Sequence, residues 1–140
     1  MDDPRPVICL CNAIRQGARQ VTQFYDRQLA PTGLRISQYA MLKGLRRLGP
    51  ISINGLADAM VMDRTTMGRA LRPLERDGLV AIGPGPDGRT RALTLTEAGR
   101  ARLEAAEPLW QAAQAAFEAR YGAAEAATLR GALARVVAAV

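Results

Sequence analysis

The sequence predicts a mainly α-helical fold with one small β-hairpin set into it. Three observations predict this. Apolar residues recur at three- and four-residue spacing over most of the chain. That period breaks between Leu79 and Leu95, where two short apolar runs flank Gly83-Pro84-Gly85-Pro86-Asp87-Gly88, turn chemistry that cannot be a helix interior. Capping residues and Gly or Pro stops divide the rest into helices of ordinary length.

Residues 7–30 are expected as one long helix, with Ile8, Cys11, Ile14, Ala18, Val21, Tyr25 and Leu29 on a single face and Pro31-Thr32-Gly33 as its stop. Ser37 is the expected cap of a second helix that turns Met41, Leu42, Leu45 and Leu48 inward and ends at Gly49-Pro50. Ser52 caps a short helix with Leu56, Ala57 and Met60 inside. Asp63 caps the next, from Arg64 to Asp77, with Gly78 as its C-terminal glycine and Pro73 as an expected kink. Leu79–Ile82 and Arg91–Leu95 read as the two strands of a hairpin, and Asp87-Gly88 is a hairpin turn signal. Thr96 caps a helix reaching Tyr121, which Pro108 is expected to kink or interrupt. Gly122 separates it from a last helix, Ala123 to Val140. Two short helices and a tight turn before a β-hairpin make a winged helix-turn-helix, placed at residues 35–96.

At 140 residues the chain is expected to form one domain, or one domain with long helical arms. The formal net charge is +6, and its distribution is uneven. Ten of the 19 basic residues but only five of the 13 acidic ones lie between Arg35 and Arg91, so the centre suits a polyanion and the ends are near neutral. There is no His, which excludes His-based triads and His metal sites. Cys9 and Cys11 are too few and too close for a disulfide framework or a four-ligand zinc site. No metal, cofactor or catalytic residue is expected. No apolar run approaches the roughly 20 residues of a membrane span, and the first six residues lack the basic region of a signal peptide. A cytoplasmic protein with reduced thiols is the expectation.

The helix from Arg64 to Asp77 carries the clearest pattern. At about 100° per residue, Thr65, Arg69, Arg72 and Arg76 fall within roughly 60° of one another, and Met67, Leu71 and Leu74 lie opposite. One face docks on a core while the other offers three guanidiniums and a hydroxyl over about 16 Å. A helix in a major groove needs this arrangement, with base edges read from its first turn and phosphates held by its flanks. Thr65, Thr66 and Arg69 are the candidates for base contact, and Gly68 leaves clearance beside them. A Gly-rich phosphate loop is the rival reading of Gly83–Gly88, but this run joins strand to strand rather than strand to helix.

Leu56-Ala57, Asp63-Arg64-Thr65-Thr66, Leu74-Glu75-Arg76-Asp77-Gly78-Leu79-Val80, Asp87-Gly88-Arg89 and Leu95-Thr96-Glu97-Ala98-Gly99 occur in an order and spacing that resemble the MarR family of bacterial transcriptional regulators. The resemblance runs over nearly the whole chain. It implies a homodimer whose body is built from residues 1–34 and 97–140, reading a pseudo-palindromic operator on double-stranded DNA. The helix 64–77 would enter the major groove and the wing 83–91 the minor groove. The resemblance implies DNA contacts from Arg64, Thr65, Thr66, Arg69, Arg72, Arg76, Asp87, Arg89 and Arg91, with Asp87 fixing Arg89. Two apolar stripes, Leu109-Trp110-Ala113-Phe117-Tyr121 and Leu129-Leu133-Val136-Val137-Val140, suit such a body.

Two releasing signals of this family fit the sequence in part. Leu10-Cys11, Tyr25 and Gln38-Tyr39 resemble the organic-hydroperoxide-sensing branch, in which a reactive Cys is held by tyrosine hydroxyls. Ile36 stands where a second tyrosine is expected. Cys9 is expected to point to a different side of the helix from Cys11, which makes it a poor disulfide partner. The other signal is a small apolar or aromatic ligand in a pocket of Arg15, Tyr39, Met41 and Trp110, with Tyr25 and Arg19 nearby. An enzyme is not expected, since no nucleophile–base pair or cofactor fingerprint is present. A winged-helix adaptor that binds protein without reading DNA is the alternative. It calls for apolar anchors on the face where this chain shows Thr and Arg.

Overall fold

The computed structural model describes residues 7–140. Its elements are α1 (Leu10–Leu29), a single 3₁₀ turn (Ala30–Thr32), α2 (Ile36–Leu48), α3 (Ile53–Ala59), α4 (Arg64–Arg76), β1 (Val80–Pro84), β2 (Arg91–Leu95), α5 (Glu97–Tyr121) and α6 (Ala123–Ala139). The expectation for residues 1–6 lies outside the described residues.

Local chemistry sets most boundaries. Ser52, Asp63 and Thr96 cap α3, α4 and α5, each accepting from the amide three residues on at 3.0 Å. The Thr96 hydroxyl also donates to the Gly78 carbonyl at 2.6 Å, tying the start of α5 to the end of α4. Gly78 takes φ 75°, as the expected terminating glycine must. Gly99 is required for another reason. A Cβ there would stand 2.1 Å from the Leu79 carbonyl oxygen, so only glycine lets α5 cross the hairpin so closely.

Ser37 is not the cap of α2, contrary to expectation. The helix begins at Ile36 with Arg35 in the cap position, two residues earlier, and its free amides are met from elsewhere: Asp26 Oδ1 on α1 accepts from the Ile36 N–H at 2.8 Å, and Gln38 Oε1 accepts from the Arg35 N–H at 3.0 Å. The prolines do not interrupt their helices. Both α4 and α5 run unbroken through Pro73 and Pro108. Pro73 sits in the last turn, where the Asp77 N–H still closes on its carbonyl at 3.0 Å. On either side of Pro108, Leu103, Ala106 and Ala113 of α5 are buried.

The two strands pair antiparallel with Val80 opposite Leu95 and Pro84 opposite Arg91. Ile51, between α2 and α3, adds an isolated bridge to Leu93, with both backbone hydrogen bonds made. The hairpin is thereby anchored to the helix-turn-helix. The core collects Leu42 and Leu45 from α2, Leu56 from α3, Met67, Leu71 and Leu74 from α4, Val80 and Leu93 from the hairpin, and Leu103 from α5.

The two ends of the chain extend beyond this core. The inward face expected along all of α1 is buried only at Tyr25 and Leu29, while Ile8, Cys11, Ile14 and Ala18 are exposed. On α6, Leu133, Val136 and Val137 are exposed as well, Val137 to 54%.

Candidate nucleic-acid interface

α4 presents the face its sequence dictates. Arg64, Thr65, Thr66, Arg69, Arg72 and Arg76 are exposed, and Met67, Leu71 and Leu74 are buried on the opposite side. No large apolar side chain interrupts the exposed stripe. Two members have partners within the chain. The Thr66 hydroxyl donates to Asp63 Oδ1 at 2.6 Å, which commits its proton and leaves its methyl and lone pairs outward. Arg76 Nε lies 3.5 Å from Asp77 Oδ1. Gly68 faces open space, since an added Cβ would meet nothing within 4 Å. Glycine is therefore not demanded there by the chain's own packing.

The wing is organised by one carboxylate. Asp87 Oδ1 accepts from the Arg89 and Thr90 amides, both at 2.9 Å, and Oδ2 accepts from the Thr90 hydroxyl at 2.9 Å. These bonds, chiefly those from Thr90 and Arg89, hold the Asp87 carboxyl below its ordinary value. Asp87 thus fixes Arg89 through its backbone, and the guanidinium is free to project from the exposed tip. Arg91 is exposed at the base of the wing, beside Pro50, Ile51 and Ser52. At the start of α4 the Thr66 hydroxyl and amide likewise lower the Asp63 carboxyl.

The residues proposed for redox sensing are not brought together within one chain. Cys9 and Cys11 are both exposed. Fourteen residues of α1, about 21 Å, separate Cys11 from Tyr25, and the Tyr25 hydroxyl donates to Gln114 Oε1 on α5. Burial raises the Tyr25 and Tyr39 hydroxyls above their ordinary value, so both stay protonated. The expectation that Cys9 lies on another helical face is also corrected. Cys9 precedes α1 with extended backbone, ψ 122°, so helical geometry does not fix its direction.

The expected ligand residues divide in three. Tyr39 and Trp110 form part of a cleft of about 600 Å³ with Ile36, Leu48, Leu56 and Met60. Met41 is instead in the core, 1% exposed. Arg15 lines a separate groove with Arg19 and Arg35, so it is not the cation of this cleft. Lys43, Arg46 and Arg47 supply that charge. They follow Tyr39 at four, seven and eight residues, a spacing that puts them near its face of α2 and would have revealed them from sequence. Tyr39 stacks on Trp110, with centroids 5.7 Å apart and planes at 21°. The Tyr39 hydroxyl is buried without a hydrogen-bond partner.

Among the described residues no cluster of His, Cys, Asp and Glu could hold a metal ion, and no helix is long and apolar enough to cross a membrane.

Residues 34–87 match the model of the MarR family. The chain is 30% identical over 95 residues to the uncharacterized HTH-type transcriptional regulator YwoH of Bacillus subtilis, covering 68% of this chain and 69% of that protein. Among solved structures it is similar to the Mycobacterium tuberculosis transcriptional regulator MosR in complex with DNA. The identity is 36%, the TM-score is 0.76, and the match covers 92% of this chain and 98% of the other. A probable transcriptional regulator from Pseudomonas aeruginosa matches at 30% identity and a TM-score of 0.82, covering 91% and 96%.

Proposed function

This chain belongs to the MarR family of transcriptional regulators, and on that premise we propose that it binds a pseudo-palindromic operator as a homodimer and represses transcription near its own gene. α4 enters the major groove and the wing the minor groove. One observation carries this reading: the exposed, Arg-rich face of α4 beside a wing tip whose backbone Asp87 holds in place. Thr65 and Arg69 take the base edges, Arg64, Arg72 and Arg91 take phosphates, and Arg89 enters a narrow minor groove. The dimer body is residues 1–34 with 97–140, and the reading unit is 35–96. The absence of apolar anchors on the α4 face disfavours the protein-adaptor alternative, and no catalytic role is assigned.

The test is fluorescence anisotropy on DNA from upstream of the gene and on a scrambled duplex, at two salt concentrations. Preference for the native duplex on the order of 10³-fold, with a steep loss in salt, is expected. Arg69→Ala weakens binding by ~1–3 kcal/mol and relaxes one base position. Arg89→Ala reduces the preference for A·T-rich flanks. Unchanged affinity and preference in both variants would overturn the docking, and no binding at low salt would favour the adaptor.

The cleft beside Trp110 supports release by a small aromatic anion. Its apolar walls fit a ring, and Lys43 and Arg46 fit a carboxylate. Trp110 is the only tryptophan in the chain, so its fluorescence reports occupancy directly. A panel of aromatic acids that leaves the emission and the DNA complex unchanged would sink this reading. Release by thiol oxidation is less well supported, because Cys11 lacks a tyrosine partner in its own chain. Hydroperoxide treatment of wild type and Cys11→Ser separates the two signals.

A further inference from the structure

Three side chains of α2 meet one turn of α5. Arg46 Nη2 lies 3.3 Å from Glu107 Oε1, and both side chains are half-buried. Lys43 Nζ sits 3.8 Å from the centroid of the Trp110 ring, and Tyr39 stacks on that ring. Glu107 and Trp110 are three residues apart on α5, and Tyr39, Lys43 and Arg46 follow one face of α2.

This turn also divides α5 in function. Before it, Gly99 and Leu103 pack into the core of the winged unit. After it, Gln114 bonds to Tyr25 of α1, and Phe117 meets Phe24 edge to face. Pro108 lies within the turn, so the helix lacks one backbone bond there and the Glu104 carbonyl loses its helical donor. The backbone of α5 is therefore weakest where the winged unit hands over to the terminal helices, and α2 side chains brace it at that point. Lys43 is also the one lysine among 19 basic residues. Its ammonium makes a cation–π contact with the indole face.

We propose that Lys43, Glu107 and Trp110 are positioning residues that set the angle between winged unit and dimer body, and so the separation of the two α4 helices. This rests on the dimeric reading above. Since half-sites on one face of DNA lie about 10 bp apart or multiples of that, a fixed angle selects one half-site spacing. A loosened joint accepts several.

The experiment compares full-length wild type, K43M, K43R and E107Q on a pseudo-palindromic duplex selected from a random pool, and on the same duplex with 2 bp added or removed between half-sites. Wild type is expected to prefer the selected spacing by at least about tenfold. K43M and E107Q bring that ratio to within about threefold, and K43R retains it because it keeps the cation on the ring. A purely structural role would lower affinity equally at every spacing and leave the ratio intact, which would overturn the proposal. If K43M fails to fold, E107Q decides alone. A wild type indifferent to spacing would instead refute the dimeric reading itself.

Discussion

At the scale of single residues, the free protein carries two costs that its own packing does not explain. Val61, in the turn between α3 and α4, has φ 56° and is 69% exposed. A β-branched residue in the left-handed region is strained by about 1–2 kcal/mol. Val61→Gly is expected to raise stability by about 1 kcal/mol, read as a higher urea midpoint, since little burial is lost. Gly68 costs up to ~1 kcal/mol in mid-helix, yet a Cβ there would touch nothing. Gly68→Ala should therefore stabilise the fold and weaken DNA binding together. Stabilisation with unchanged affinity would show that the clearance is unused. The stripe on α4 was legible from periodicity alone, because a helix places side chains by arithmetic. The commitment of the Thr66 hydroxyl to Asp63 and the strain at Val61 were not, since both depend on backbone geometry at a turn.

At the scale of elements, the wing depends on Asp87 and α2 depends on Asp26. Hydrogen bonds from Thr90 and Arg89 depress the Asp87 carboxyl. A depressed carboxyl contributes order that is complete above its unfolded value and lost as pH falls through its lowered one. With no His in the chain, no imidazole adds a transition near neutral pH. Protection of the Thr90 amide is expected to be flat near neutral pH and to fail only below the ordinary carboxylate value near pH 4. Asp87→Ala should lose it at every pH and weaken DNA binding severalfold at nearly unchanged melting temperature. Caps within one element were readable: Ser52, Asp63 and Thr96 each sit three residues before the amide they accept from. The cap of α2 was not, because Asp26 reaches it from another helix. Nor was the Ile51–Leu93 bridge, a single pair with no periodic signal.

At the scale of the whole molecule, the apolar residues left outside the core concentrate at the two ends of the chain. Ile8, Leu10 and Ile14 and, on α6, Leu133, Val136 and Val137 are all exposed. A second copy would cover them. Val137→Glu is expected to shift the protein toward monomer in analytical ultracentrifugation and to weaken operator binding by more than tenfold, with α4 untouched. A variant that remains fully dimeric would place the interface elsewhere. The sequence by itself determined the order of elements, the hairpin, the exposed Arg-rich face of α4 and the wing turn. Each is written in contacts a few residues apart, where helical or strand period, caps and turn residues suffice. Only the tertiary structure decided that Arg15 and Met41 leave the cleft. It alone decided that Tyr25 answers to Gln114 rather than Cys11, and that α5 continues past Pro108. Those outcomes depend on which helices pack side by side. Residues far apart in the chain then compete for one space, and local pattern carries no record of that competition.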